Sequence, residues 1–307
     1  MKLSVVSPVY GAEMLLKELV CEIENTICTI TNDYEIILVE DHSPDNSQEI
    51  IKQICLTNSK VKGIFLSRNF GQQYALNAGL DAATGDWIVT LDCDLQDTPT
   101  LIKDLYEKAL EGYDVVFASR HNRQDETMKK VGSHLFNKLL GYLTDTKQDE
   151  TIANFVLYKK EVIKAMESMG DYTRYYPLMN HWVGFNCTTL QITHTERPDG
   201  QNSSYTIAKR IKLALNTAIA FSTKPLRLIV YFGMLFIFIS LIAGFIIVIN
   251  YIINGIKVSG WLTLFVSLWF IAGVLTIILG ILAVYVGNIY IEVKKRPSYI
   301  IKETVNI

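Results

Sequence analysis

Apolar residues in the first 120 positions occur either in short unbroken runs or at helical spacing. The short runs are rich in Val, Ile and Leu and are bounded by turn residues, which is typical of buried strands. The predicted strands are Leu3–Val9, Glu35–Val39, Val61–Leu66, Asp86–Leu91 and Asp114–Ala118, and the predicted helices are Met14–Ile27, one beginning near Pro44, Gly71–Ala83 and Pro99–Glu111. This alternation predicts an α/β domain with a mostly parallel sheet covered on both faces, to which Ile152–Tyr158 adds a strand.

The last third of the chain contains two long stretches without a charged side chain. No Asp, Glu, Lys or Arg lies between Arg227 and Lys257 or between Lys257 and Glu292. Each gap exceeds the roughly 20 apolar residues that cross a bilayer as a helix. We therefore predict two transmembrane helices, from Leu228 to about Ile249 and from Leu262 to about Val286.

Basic residues flank this apolar pair on both sides. They are Lys209, Arg210, Lys212, Lys224 and Arg227 before it, and Lys294, Lys295 and Arg296 after it. The bias predicts a multi-pass protein of the inner (plasma) membrane with both termini and the large domain in the cytosol.

These patterns divide the chain into four regions. They are an α/β domain over 1–206, a juxtamembrane amphipathic helix over 207–227, the two transmembrane helices with a short loop over 228–287, and a cytosolic tail over 288–307. The cations near the start of the amphipathic helix suit lipid head groups. A soluble helix packed on the domain is the alternative.

The average composition conceals this division, because the 307 residues carry a formal net charge of only −2. The five cysteines show no CxxC spacing and are interpreted as reduced thiols of a cytosolic domain. No GxGxxG follows the first predicted strand, and no GxxxxGK[ST] occurs anywhere. The sequence thus argues against a dinucleotide oxidoreductase and against a P-loop NTPase.

An acidic segment, Asp92-Cys93-Asp94-Leu95-Gln96-Asp97, directly follows the fourth predicted strand. Carboxylate oxygens at alternating positions, with an amide two residues on, suit a hard divalent cation such as Mg²⁺ or Mn²⁺, and such ions commonly neutralise phosphate oxygens. The alternative is a solvated turn in which Asp97 or Thr98 caps the helix that starts near Pro99. The segment alone leaves both interpretations open.

Polar residues also follow the first three predicted strands. They are Pro8-Val9-Tyr10, Glu40-Asp41-His42-Ser43 and Ser67-Arg68-Asn69-Phe70-Gly71. Ligands of open α/β sheets bind outside the carboxyl ends of the strands. Four such strand ends therefore predict one convergent site, in which Asp41 would accept hydrogen bonds from a base or ribose and a cation would hold a diphosphate.

In order and spacing, four motifs together resemble those of family 2 glycosyltransferases with the GT-A fold. The motifs are Ser7-Pro8-Val9-Tyr10, Val39-Glu40-Asp41-His42-Ser43-Pro44-Asp45, Leu66-Ser67-Arg68-Asn69-Phe70-Gly71 and the acidic segment. Within that family the chain resembles the polyprenyl-phosphate glycosyltransferases, the group that contains dolichol-phosphate mannose synthase and bactoprenol glucosyltransferases. The resemblance extends over most of the chain. It implies a GT-A (Rossmann-like) domain followed by interfacial helices and two transmembrane helices.

The resemblance also implies roles for particular residues. A divalent cation, Mg²⁺ or Mn²⁺, would be held by Asp92, Asp94 and Gln96. The residues expected to bind the nucleotide-sugar are Pro8, Tyr10, Glu40, Asp41, Arg68, Asp92 and Trp182. Those expected to bind lipid phosphate are Arg120, Arg123, Lys130, Arg197 and Lys209, and those expected to act in catalysis are Asp94, Arg120 and Arg123. Core packing is the alternative for Trp182, and a solvated helix face is the alternative for the basic residues between 120 and 130.

Two positions depart from the family pattern. Asn154 stands where relatives often have an acidic residue that some accounts make a base, and an amide cannot act as a base. Ser204 stands where many relatives have a lysine thought to meet the acceptor phosphate.

The resemblance implies a glycosyltransferase that moves a single sugar from a UDP- or dTDP-sugar to polyprenyl (undecaprenyl) phosphate at the cytosolic membrane face, with metal and with inversion. A non-catalytic, membrane-anchored nucleotide-sugar-binding scaffold is one alternative, favoured by Asn154 and Ser204. A glycosyltransferase acting on a growing polysaccharide is another, although the chain has only two predicted spans and no QxxRW motif. No nucleic-acid partner is expected, and a homo-oligomer is compatible with the sequence.

Overall fold

The structure is a computed structural model that describes residues 1–120, 152–170, 176–192, 224–254 and 260–307. These residues fall into two units. The first contains 1–120, 152–170, 176–192 and 296–307, and the second contains 224–254 and 260–295. Most of the predicted amphipathic helix over 207–227 lies outside the described residues.

Eight described segments of the first unit form one sheet. They are β1 (Leu3–Val9), β2 (Tyr34–Glu40), β3 (Val61–Leu66), β4 (Trp87–Thr90), β5 (Val115–Arg120), β6 (Ile152–Lys159), β7 (Cys187–Ile192) and β8 (Ile301–Val305). Their order across the sheet is β7-β5-β6-β4-β1-β2-β3-β8. The neighbours β4, β1, β2 and β3 are parallel, whereas β6 runs antiparallel between β4 and β5, and β8 runs antiparallel to β3. The predicted α/β domain with a mostly parallel sheet is confirmed, and the two antiparallel strands make the sheet mixed.

Helices lie between successive strands of this sheet. Those described are α1 (Leu16–Ile27), α2 (Ser47–Thr57), α3 (Gln72–Ala82), α4 (Leu101–Ala109), α5 (Lys160–Met169) and α6 (Tyr176–Val183). The apolar spacing of α1 places Leu16, Leu19, Ile23 and Ile27 in the core. This helix begins two residues later than predicted, and Met14 remains exposed.

Gly79 allows α3 to lie close against the sheet. A Cβ atom at this position would come 2.3 Å from Val6 Cγ1 and 3.0 Å from Val39 Cγ2. Both valines belong to central strands of the sheet and are fully buried. The approach of α3 to β1 and β2 therefore depends on a residue without a side chain.

Glu35 is a buried carboxylate in a central strand, and it is surrounded by hydrogen-bond donors and two lysine side chains. Its Oε1 atom accepts the Ser4 hydroxyl at 2.6 Å and the Thr84 backbone N–H at 2.7 Å, while Lys2 and Lys62 each place Nζ 2.9 Å from Oε2. Burial by itself raises the pKa of Glu35, but these hydrogen bonds outweigh burial and hold the pKa well below its usual range. The carboxylate is thus charged in the folded protein and ties the first residues of the chain to β2 and β3.

The end of the chain forms the edge strand β8, which the sequence analysis described only as a tail. The strand pairs with β3 from Gly63↔Val305 to Leu66↔Ile301. Beyond the ladder, the Ser67 N–H donates to the Ile300 carbonyl at 2.9 Å, and Lys52 forms an ion pair with Glu303 at 2.8 Å. The C-terminal residues therefore cover the edge of β3 and reach the loop that follows it.

The second unit consists of two long apolar helices, α7 (Lys224–Asn254) and α8 (Trp261–Lys294). Each includes a segment that is long and apolar enough to cross a membrane, Ile229–Ile246 in α7 and Ser267–Lys294 in α8. Within this unit the rings of Phe236 and Phe270 meet edge to face, with centroids 5.6 Å apart. The predicted pair of long apolar helices is confirmed, and α8 continues past the predicted end near Val286, so that the first residues of the predicted tail are helical.

Candidate functional site

Four loops meet at one edge of the sheet, because β1, β2, β3 and β4 are parallel neighbours. The carboxyl ends of these strands carry Tyr10, Asp41, Arg68 and Asp92, respectively. Two non-glycine residues in these loops have left-handed backbone conformations, His42 at φ 56° and Leu95 at φ 55°. Such conformations are costly for residues with a Cβ atom and concentrate at functional sites.

Asp41 joins the loop after β2 to the loop after β3. Its Oδ1 accepts the Phe70 N–H at 2.7 Å, and its Oδ2 accepts the Gly71 N–H at 2.8 Å. Gly71 has φ +102°, which L side chains rarely adopt. Burial raises the pKa of Asp41, and the two backbone donors oppose that shift. The carboxylate predicted to bind a nucleotide therefore also shapes the loop beside it.

The other residues predicted to bind nucleotide-sugar divide into buried and exposed ones. Pro8 is buried in β1, and Glu40 is buried at the end of β2, where its carboxylate accepts the Ser43 N–H. The exposed side chains are Tyr10, at 55%, and Trp182 in α6, at 75%. Direct contact with a ligand stays a prediction for all four residues.

Arg68 is exposed at the start of the loop after β3. Its guanidinium lies over the Phe70 ring, 4.1 Å from the centroid, and donates to the Asn69 carbonyl at 3.3 Å. The ring and the carbonyl hold a positive charge beside the loop that Asp41 orders. Contact between Arg68 and the nucleotide-sugar stays a prediction.

Asp92 is the first carboxylate of the acidic segment, and a side-chain amide donates to each of its oxygens. Gln72 Nε2, from the first turn of α3, donates to Oδ1 at 2.7 Å, and Asn154 Nδ2, from β6, donates to Oδ2 at 3.2 Å. Burial raises the pKa of Asp92 to about 6, with the charges of Asp94 and Asp97 acting in the same direction and the two amides opposing them.

Asp94 lies in the turn that follows. Its Oδ1 accepts the Gln96 N–H at 3.2 Å across Leu95, the residue with the left-handed backbone. This Asx-type turn bends the segment so that Asp94 and Gln96 belong to one short loop. The N-cap residue of α4 is Thr100, whose side chain makes no cap hydrogen bond, and capping by Asp97 or Thr98 stays an alternative.

The donor set of the acidic segment fits Mg²⁺ or Mn²⁺. It offers hard carboxylate oxygens and the amide oxygen of Gln96, and the charges of Asp94 and Asp97 act on Asp92, so a cation here would neutralise several negative charges. Within the part of the chain that the structure describes, no group of three or more His, Cys, Asp or Glu side chains could hold an ion by itself. An ion held by Asp92, Asp94 and Gln96 would thus take further ligands from substrate or water.

Most of the predicted phosphate-binding residues cannot be placed in the site. The backbone of Arg120 ends β5, but its side chain is outside the described part of the structure. The remaining basic residues are Arg123, Lys130, Arg197 and Lys209, and they fall in 121–151 and 193–223, which also lie outside it. The same is true of Ser204, which departs from the family pattern.

Sequence patterns did not identify Gln72, and they did not predict the contact between Asn154 and Asp92. No sequence pattern marked Gln72 beyond its place directly after Gly71. Asn154 could have been found from pairing, because the antiparallel register Thr90↔Val156, continued by two residues, sets Asn154 opposite Asp92. That inference required the orientation of β6, which its apolar pattern does not give.

Comparison with known proteins adds relatives to this geometry. The family described as Glycosyl transferase family 2 matches residues 4–167. The undecaprenyl-phosphate 4-deoxy-4-formamido-L-arabinose transferase of Aeromonas hydrophila is 33% identical over 305 residues, covering 98% of this chain and 93% of that protein. The prophage bactoprenol glucosyl transferase homolog of Escherichia coli is 34% identical over 303 residues, covering 98% and 99%.

Among solved structures, the glucosyl-3-phosphoglycerate synthase of Mycobacterium tuberculosis, in complex with Mn²⁺, UDP and phosphoglyceric acid, resembles the chain with a TM-score of 0.52. The sequence identity is 14%, and the match covers 71% of this chain and 76% of that one. At this identity the likeness concerns the fold, and it agrees with the predicted GT-A architecture.

Proposed function

The chain belongs to glycosyl transferase family 2, and we propose that this glycosyltransferase transfers one sugar from a nucleotide-sugar to a polyprenyl phosphate. The donor is a UDP- or dTDP-sugar, the acceptor is undecaprenyl phosphate or a similar lipid, and the reaction takes place at the cytosolic face of the plasma membrane. It depends on Mg²⁺ or Mn²⁺ and inverts the anomeric configuration.

The observation that carries this proposal is similarity that runs beyond the sheet and through both apolar helices. The two relatives named for an undecaprenyl-phosphate or bactoprenol transferase each align with 98% of the chain, whereas the family match ends at residue 167. A lipid acceptor stays at the membrane, so an enzyme that uses it gains from two membrane-crossing helices. The basic residues that flank the helices support cytosolic placement of the sheet and both termini.

The loops at the carboxyl edge supply what a nucleotide-sugar needs. Asp41 holds the loop after β3, and Arg68 and Tyr10 present exposed side chains beside it. Asp92, Asp94 and Gln96 would hold a divalent cation, which supplies charge neutralisation for the leaving diphosphate when it is bound. The glucosyl-3-phosphoglycerate synthase with a similar fold was solved with both Mn²⁺ and UDP, which supports a divalent cation together with a nucleotide here.

The chemistry does not require a carboxylate base at position 154. A phosphate monoester has a second pKa of about 6 and is largely ionised near pH 7. A phosphate oxygen attacks the anomeric carbon, the bond from that carbon to the nucleotide diphosphate breaks, and the diphosphate leaves with the electron pair. Arg120 and Arg123 stabilise the phosphates, and Lys130, Arg197 and Lys209 bind the lipid head group in this scheme.

The test is a transfer assay in membranes that contain the full chain, with polyprenyl phosphate, Mg²⁺ or Mn²⁺, and a panel of UDP-, dTDP- and GDP-sugars. We expect a chloroform-extractable lipid carrying one sugar, formed with one donor and abolished by EDTA. Replacing Asp94 by alanine should lower turnover by at least about 100-fold, a loss typical of removing a group that stabilises developing charge.

The matched control is Asp104→Ala, which removes an exposed carboxylate from α4 and should leave turnover unchanged. Wild-type turnover by the Asp94→Ala variant would contradict the role of the acidic segment. Cation-dependent donor binding without any product would favour a binding scaffold, and a polymeric product would favour transfer to a growing polysaccharide.

A further inference from the structure

The amide side chains of Gln72 and Asn154 hold the Asp92 carboxylate from two directions. Gln72 lies at the start of α3 and donates to one oxygen at 2.7 Å, while Asn154 lies in β6 and donates to the other at 3.2 Å. A carboxylate offers about four lone-pair positions. Among the residues that the structure describes, these two neutral donors fill two of these positions, which leaves two for a ligand.

The backbone around Asn154 fixes its side chain in this place. β6 pairs antiparallel with β4 up to Thr90↔Val156, and continuing that register by two residues sets Asn154 opposite Asp92. The Thr90 hydroxyl donates to the Asn154 carbonyl at 2.9 Å, which ties the backbone at position 154 to β4. The contact between Asn154 and Asp92 is thus set by strand pairing rather than by a mobile side chain alone.

The amide at position 154 also avoids a repulsion. Like charges opposite each other on neighbouring strands destabilise the pair, and Asp94 and Asp97 already place negative charge near Asp92. An ionised aspartate at position 154 could not donate a hydrogen bond to Asp92. The asparagine supplies a donor there without adding charge.

We infer that Gln72 and Asn154 are positioning residues that fix the plane of the Asp92 carboxylate for a divalent cation. This inference rests on the proposed function only in taking Mg²⁺ or Mn²⁺ as the ion. Its prediction is that the amide at position 154 strengthens cation binding although it contacts neither the cation nor the sugar. Partners that orient a metal ligand typically change metal affinity by about 10-fold or more when they are removed.

The experiment measures Mn²⁺ binding to the purified full chain in detergent micelles by electron paramagnetic resonance, without nucleotide-sugar. We expect Asn154→Ala and Gln72→Ala each to weaken Mn²⁺ binding by about 10-fold. The double variant should lose less Mn²⁺ affinity than the product of the two single losses. Once one amide is removed, the Asp92 carboxylate can rotate, and the remaining amide no longer fixes its plane fully.

The matched control is Gln53→Ala, which removes an exposed amide from α2 and should leave Mn²⁺ affinity unchanged. Melting temperatures of all variants identify any unfolding, and the two single variants test the inference independently. Unchanged Mn²⁺ affinity in both single variants would overturn the inference, as would tighter binding and faster transfer by Asn154→Asp. If the wild type binds Mn²⁺ in this amide-dependent way but transfers no sugar, the proposed function fails and the inference stands.

Discussion

Replacing Asn306 should release the C-terminal strand β8 from the edge of the sheet. Its side-chain amide donates to the carbonyls of Cys55 at 2.8 Å, Val61 at 2.9 Å and Asn58 at 3.3 Å. Its backbone has φ 62°, in the left-handed region that asparagine tolerates better than most residues. One side chain therefore closes β8 onto the end of α2 and the start of β3.

The size of the effect follows from these contacts. An amide group has two hydrogens, so the three contacts amount to about two hydrogen bonds, and each contributes about 1 kcal/mol net. Alanine also takes on the left-handed conformation at a cost of about 1 kcal/mol, which glycine avoids. We expect Asn306→Ala to destabilise the attachment of β8 by about 3 kcal/mol and Asn306→Gly by about 2 kcal/mol.

Amide hydrogen exchange of the full chain in micelles, followed by mass spectrometry of peptides, measures this attachment. The exchange of β8 and of the Ser67 amide, which donates to the Ile300 carbonyl at 2.9 Å, should quicken by about 100-fold in Asn306→Ala and by less in Asn306→Gly. Lys302→Ala, an exposed change on the same strand, is the control. Equal protection in wild type and Asn306→Ala would refute the anchoring role, and equal losses in the alanine and glycine variants would refute the contribution of backbone strain.

Two further predictions concern the stability of the first unit, measured by thermal unfolding in micelles. Glu35→Gln should lower stability by about 2 kcal/mol, because it leaves two partly exposed lysines without their shared carboxylate. The folded pKa of Glu35 lies below its unfolded value, so its contribution to stability is present above about pH 4.3 and is lost as the pH falls. The melting temperature of the variant should therefore fall less steeply in acid than that of the wild type. Parallel curves of melting temperature against pH would contradict this. Gly79→Ala should lower stability by about 1–3 kcal/mol through its clash with Val6; an unchanged melting temperature would disprove the close packing of α3.

The C-terminal strand β8 also supports the candidate site, because it adjoins the loop that carries Arg68. The Ile300 carbonyl accepts from Ser67, the residue directly before Arg68, while Asp41 accepts from Phe70 and Gly71 on the other side of that loop. Tyr299 donates its hydroxyl to Asp81 at the end of α3 at 2.7 Å. The last residues of the chain thus help to hold the loop predicted to meet the nucleotide.

The sequence by itself determined the elements whose signals are local. The first three strands and the helices between them lie within a few residues of their predicted bounds, because short unbroken apolar runs such as Leu3–Val9 and Val61–Leu66 are themselves the signal of a buried strand. The two apolar helices could be predicted from the length of two sequence stretches that lack charged residues. The acidic segment and Asp41 could be singled out because parallel strands bring their carboxyl ends to one edge, whatever the details of packing.

Only the tertiary structure decided the features that depend on distant pairing. The antiparallel insertion of β6 sets Asn154 opposite Asp92, across 62 positions of sequence. The addition of β8 to β3 turns a segment predicted as a tail into a sheet edge. Neither pairing leaves a local pattern in the sequence. The sequence of an apolar strand does not depend on its orientation in the sheet, and the sequence of an exposed edge strand resembles that of a polar tail. Orientation and register are chosen by the neighbour that a strand meets in space.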